Sequence, residues 1–131
     1  MDKEVTELIK GSLEKAEEKL RVARELLRSS AFDDALSRAY YSAFHATQGL
    51  LLTEGFSART HHGVVNLFGL HFVKTGRFDH KFGKFLSELK DGRERSDYEI
   101  YSAIDREKAE TAVKEADEFL KAIQKYLKQY L

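Results

Sequence analysis

The sequence contains no cysteine and no proline, and its 22 basic residues are matched by 22 acidic ones. Without cysteine there is neither a disulfide framework nor a thiolate metal site. With a formal net charge of zero, the molecule as a whole has no bulk attraction to nucleic acid or anionic lipid. No apolar run approaches the roughly 20 residues that span a bilayer, so no membrane association is expected. The amino terminus, Met-Asp-Lys-Glu-Val-Thr-Glu, has neither the basic start nor the apolar stretch of a signal peptide, which predicts a cytoplasmic location. Abundant Lys and Glu beside a single Asn and no Pro would also suit a thermophile.

What is present points to helices. At 131 residues the chain is expected to form one domain over 1–131 and to bury roughly two thirds of the surface its unfolded form exposes. The stretch from Ser37 to Leu52 carries no formal charge between Arg38 and Glu54, in a chain of which 34% is charged. A segment apolar or small on nearly every side, and too short to cross a bilayer, reads as a buried central helix wrapped by amphipathic neighbours. Its two strongly polar members, Arg38 and His45, lie seven residues apart and so on one face.

Before it, Val5, Ile9, Leu13, Ala16, Leu20, Ala23 and Leu27 recur at steps of four and three, predicting an amphipathic helix from about Lys3 to Ser29. Ser29 to Ala31 form a break short enough for an antiparallel hairpin, with Asp33 the expected N-cap of the central helix. Gly55 is placed to end that helix and Thr60 to cap a third, His61 to about Lys74, which Thr75 and Gly76 stop. A fourth helix from about Asp79 turns Phe82, Phe85, Leu86 and Leu89 inward and stops near Asp91 and Gly92 or continues through Arg95. A connection follows in which Tyr98, Ile100 and Tyr101 can pack. Asp105 then caps the last helix, Arg106 to Tyr130, with Ile104 able to staple against Ala109. With no strand signal and no repeat, the expected fold is all-α, an up-and-down four-helix bundle with one additional short helix.

Phosphate-binding glycine loops, dinucleotide fingerprints, zinc-protease helices and calcium loops are all missing, so no cofactor is expected. His61 and His62 are adjacent and point apart on a helix, and His71 and His80 sit on other turns; no metal site is expected. Between His71 and Arg95, seven Lys or Arg face four acids, a modest excess that reads first as a solvated helix face.

Two groupings could carry chemistry. Arg38 and His45 could set a cation and a general base on one face; the plainer reading keeps His45 hydrogen-bonded among Tyr40, Tyr41 and Phe44. Arg93, Arg95, Asp97 and Tyr98 crowd two cations, an acid and a phenol into six residues at an expected helix break. Arginines so placed can clamp phosphate bidentately, and a Tyr can stack on a base. An internal Arg–Asp ion pair pinning the break accounts for the same residues.

Taken in order, Arg38-Ala39-Tyr40-Tyr41-Ser42-Ala43-Phe44-His45, then Thr60-His61, then Phe72-Val73-Lys74, then Arg93 to Tyr98 ending in Ser-Asp-Tyr, the chain resembles the HEPN domain over nearly its whole length. It is most similar to the small single-domain prokaryotic branch. The resemblance implies an all-α bundle, in agreement with the periodicity.

For function, the resemblance implies one of two roles. Many HEPN proteins are metal-independent ribonucleases with an Arg-x(4 to 6)-His motif that meets its copy across a homodimer. Others bind nucleotides or partner a small nucleotidyltransferase as a toxin and antitoxin pair. Here Arg93 is followed after four residues by Tyr98, so Tyr stands where the motif has His. Arg38 to His45 fits the spacing formally but sits on the wrong helix. A Tyr with a pKa near 10 is only about one part in a thousand deprotonated at pH 7, whereas a His near 6.5 is mostly a neutral base. Ribonuclease activity is therefore expected only if His45 or His61 supplies the base from elsewhere in the fold.

The expected binding residues for nucleotide or RNA are thus Arg93, Arg95, Asp97, Tyr98, Arg38 and His61. The candidates for catalysis are Arg93, Tyr98 and His45. A homodimer, a nucleotidyltransferase partner and modification of Tyr98 by that partner are the further implications, with a non-catalytic interaction module as the structural alternative.

Overall fold

A computed structural model describes residues 2–98 and 104–131, without the side chains of Ser96 and Asp97. Ile100 and Tyr101, expected to pack beside Tyr98, lie outside the described residues. Those described form five helices and no strand: α1 (Lys3–Arg28), α2 (Phe32–Leu52), α3 (His61–Phe68), α4 (His80–Tyr98) and α5 (Arg106–Leu127). The result is the expected bundle of four long helices with α3 as the short addition. Among the described residues, no helix is long and apolar enough to cross a membrane.

The uncharged middle of α2 is the centre of the packing. Ala35, Ala39, Tyr40, Ala43, Ala46 and Leu50 are among its fully buried residues, and α1, α3, α4 and α5 all pack against it. Small side chains let α1 come close. A Cβ built on Gly49 would stand 3.2 Å from that of Ser12, and Ser42 Oγ donates to the Ala16 carbonyl oxygen at 2.8 Å across the same interface. A buried hydroxyl is thereby satisfied without water.

Helix ends follow local chemistry. At the end of α1, the Ala31 and Ser30 N–H groups reach back to the carbonyls of Leu26 and Leu27, with Ser30 left-handed at φ +63°. Gly55, φ +74°, closes α2 by the same pair of bonds, Phe56 N–H to Leu51 and Gly55 N–H to Leu52. Asp33 is not the N-cap of α2. The helix begins two residues earlier than that cap implies, at Phe32 with Ala31 in the cap position, and places Asp33 and Asp34 in its first turn, where a carboxylate favours the helix dipole. Thr60 and Asp105 do cap α3 and α5, accepting from the N–H groups of Gly63 and Lys108, each at 2.9 Å.

Beyond Phe68 the chain widens into one π-helical turn, Gly69–Val73, closed by the Lys74 N–H on the Gly69 carbonyl. In an α-helix, residues four apart drift by roughly 40° per step. The wider turn offsets that drift, so Val64, Phe68 and Phe72 all stay buried, while Leu70 is turned outward. Phe119 of α5 meets this row, its ring 5.3 Å from Phe68, 5.4 Å from Phe82 and 5.6 Å from Phe85.

α4 runs unbroken to Tyr98. The helix break expected within Arg93 to Tyr98 is not there, and this correction decides the geometry of the site.

Candidate functional site

On a continuous helix, residues five apart point roughly 140° away from each other. Arg93 and Tyr98 therefore do not form one clamp. Tyr98 is 86% exposed at the last turn of α4, and Arg95 is exposed beside Asp91, Glu94 and Tyr98. The Asp97 side chain lies outside the described residues. Arg38 is exposed on α2.

Arg93 turns inward. Its guanidinium lies over two rings of α2, 5.6 Å from the centroid of Tyr40 and 5.3 Å from that of Tyr41. Those rings also hold His61. The first residue of α3, it stacks on Phe44 at 4.4 Å and on Tyr40 at 5.5 Å, and meets Tyr41 edge-on at 5.9 Å. Its Nδ1 is 2.5 Å from Tyr40 Oη. Of the six expected binding residues, the structure thus brings together Arg93 and His61, around Tyr40 and Tyr41, which were read as packing residues.

Charge at this cluster is mixed but leans positive. Burial holds the His61 imidazole below its ordinary pKa, with the nearby Arg93 and Lys90 cations pushing the same way and Glu94 opposing them. His61 is therefore neutral at pH 7. The Lys90 side chain is largely covered and pairs with Glu94 at 2.9 Å. Burial raises the Tyr40 phenol, against the pull of Arg93, so Tyr40 keeps its proton.

His45 stays at the margin of this cluster. Half-buried, its Nδ1 lies 3.2 Å from Gln48 Oε1, and its ring tilts against Tyr41 at 6.4 Å. Its pKa is also lowered, chiefly by burial and further by Lys15 and Lys19 of α1 and by His61. The hydrogen-bonded reading of His45 fits this arrangement better than a paired cation and base with Arg38. Among the described residues, no group of three or more His, Asp or Glu is placed to hold a metal ion.

His61 is held from two sides, by the rings of α2 and by the Thr60 cap. Thr60→Ala is expected to lower the unfolding free energy by about 1 kcal/mol, the usual loss on removing such a cap. Denaturant titration checks it. An unchanged midpoint would mean that the cap does not help seat α3, and with it His61.

A bundle whose short helix presents a neutral His to an Arg stacked on two tyrosines is the class of protein defined here. The chain belongs to the HEPN domain family, whose model matches residues 9–126. It is 35% identical over all 131 residues to a toxin candidate of Methanocaldococcus jannaschii, covering 97% of that protein. A second toxin candidate of the same organism is 35% identical over 115 residues, 88% of this chain and 78% of the relative. A UPF0332 protein of Thermotoga maritima is 34% identical over 113 residues, 86% of each chain. In fold, the chain is similar to the crystal structure of a Thermus thermophilus protein, with a TM-score of 0.76 at 21% identity over 89% of this chain and 96% of that one.

Proposed function

We propose that this HEPN protein binds the phosphate of a nucleotide or of RNA at Arg93 and His61. It would do so as a cytoplasmic, single-domain homodimer in a toxin–antitoxin-like pair with a small nucleotidyltransferase. One observation carries the reading: Arg93 of α4 and His61 of α3 converge on the Tyr40 and Tyr41 rings of α2. A guanidinium is a fixed positive fork for phosphate oxygens, and the low dielectric of an aromatic surround strengthens its pull. The toxin descriptions of the two Methanocaldococcus jannaschii relatives support the pairing. The exposure of Tyr98 suits its modification by such a partner, and Arg95 extends positive charge along the outer face of α4.

A metal-independent ribonuclease is the second reading, favoured by the nearness of a neutral imidazole to a cation. Cleavage through the RNA's own 2′-hydroxyl needs a base for that proton and positive charge on the phosphorane. A mixed pool of structured and single-stranded RNAs, incubated with the protein in EDTA, separates the two. Retention of RNA without cleavage is the expected result. Cleavage that disappears in the Arg93→Ala variant would establish the ribonuclease instead.

A further inference from the structure

The geometry points to Tyr40 as a positioning residue that fixes His61 as a hydrogen-bond donor through Nε2, so that this ring grips a phosphate oxygen and does not take the ligand's proton. The inference rests on the phosphate-site reading above and decides how that site works.

Tyr40 is fully buried, and its hydroxyl sits on His61 Nδ1. A phenol oxygen is a poor acceptor because one lone pair is drawn into the ring, whereas a pyridine-type imidazole nitrogen is a good one. The hydroxyl therefore donates and Nδ1 accepts. A neutral imidazole has one N–H, so its proton stands on Nε2. Both nitrogens are then committed. The lone pair of Nδ1 is engaged by Tyr40, and Nε2 has a proton to give and no pair to receive one.

The ring cannot easily exchange these roles. A half-turn of the ring would keep its plane against Phe44 and Tyr40, which stack on it with interplanar angles of 21° and 19°, but would put a carbon at the Tyr40 hydroxyl and lose that hydrogen bond. Gaining a second proton is opposed as well. The charged groups that act on His61 are Arg93, Lys90 and Glu94, all of α4, and the one acid among them is already paired with Lys90. From α2 the ring is faced by Tyr40, Tyr41 and, at the edge of the cluster, His45.

A donor and a base respond differently to replacement. The amide nitrogen of Gln reaches about where Nε2 of His stands, so Gln restores a donor there but supplies no base. The test takes the full chain, uniformly labelled with nitrogen-15, and records long-range proton–nitrogen spectra of the His61 ring at pH 7 in the wild type and in Tyr40→Phe. Titration with adenosine 5′-monophosphate follows for the wild type, His61→Gln and His61→Ala. We expect one tautomer in the wild type, protonated on Nε2, and a mixture of both in Tyr40→Phe. His61→Gln should keep affinity within about threefold, whereas His61→Ala loses about tenfold, the worth of one hydrogen bond to a charged group. Protonation of Nδ1 in the wild type overturns the proposal, as does a folded His61→Gln that binds no better than His61→Ala. No binding by the wild type overturns the phosphate site and the use of the donor with it, while the spectra decide separately whether Tyr40 sets the tautomer.

Discussion

Replacing Phe119 with alanine is expected to lower the unfolding free energy by about 3–5 kcal/mol, the range for removing a buried aromatic ring. The ring is fully buried, and its partners come from separate elements, Phe68 from α3 and Phe82 and Phe85 from α4. No single helix can slide in to fill the space. Beyond the lost transfer energy, the void therefore persists and its edge-to-face ring contacts go with it. A loss of this size is a large part of the roughly 5–15 kcal/mol that holds a small protein folded. Denaturant unfolding measures it, with Leu8→Ala as control, because Leu8 is 56% exposed and such a change costs within about 0.5 kcal/mol. A loss below about 1 kcal/mol for Phe119→Ala would mean that α5 does not seal the core through this ring.

The same ring shows what the sequence reveals of the fold. Phe119 belongs to the apolar seam of the last helix, and the seams of α1 and α5 follow from steps of three and four, because a helix burying one face leaves that period in its residues. Caps were legible where a side chain does the capping, as at Thr60 and Asp105. They failed at Asp33, where the preceding chain makes the turn through the backbone N–H groups of Ser30 and Ala31 and the helix starts at Phe32. The π-helical turn at Gly69–Val73 left no mark, since a stretch apolar on more than one side reads alike at either pitch. α4 has the opposite history: glycine at Gly92 suggests an end, yet that residue is buried against Leu36 within a helix that continues to Tyr98.

The site was less legible because it is assembled across helices. Local spacing groups Arg93 with Arg95 and Tyr98, and a helix then rotates them apart. The groups that meet Arg93 lie more than thirty residues earlier, and no spacing rule reaches that far. His61 was named in the same expected binding set as Arg93, although no spacing linked the two. One signal was available: two consecutive tyrosines in the uncharged middle of α2 are two polar handles that need partners when buried. The Tyr40 handle found His61, and the Arg93 guanidinium lies over both rings.

Arg93→Ala is expected to weaken binding of a short single-stranded RNA by about 10- to 100-fold, since a hydrogen bond to a charged group contributes about 1.5–3 kcal/mol. A phosphate contact carries a second signature: its loss should make the salt dependence of binding shallower by roughly 0.7 of a logarithmic unit per logarithmic unit of salt. Arg93→Lys should fall between. Lysine keeps the charge but has no plane to lay over Tyr40 and Tyr41 and no fork for two phosphate oxygens. Because that stacking also contributes about 0.5–1 kcal/mol per ring, Arg93→Ala should lower the unfolding midpoint too, and binding must be compared at equal folded concentration. The two effects answer different questions. A lowered midpoint with unchanged affinity and salt slope would make Arg93 a lock between α2 and α4 and the cluster a structural joint. A loss of affinity with a shallower salt slope would make it the anion-binding group, because a lock has no reason to change how binding responds to salt.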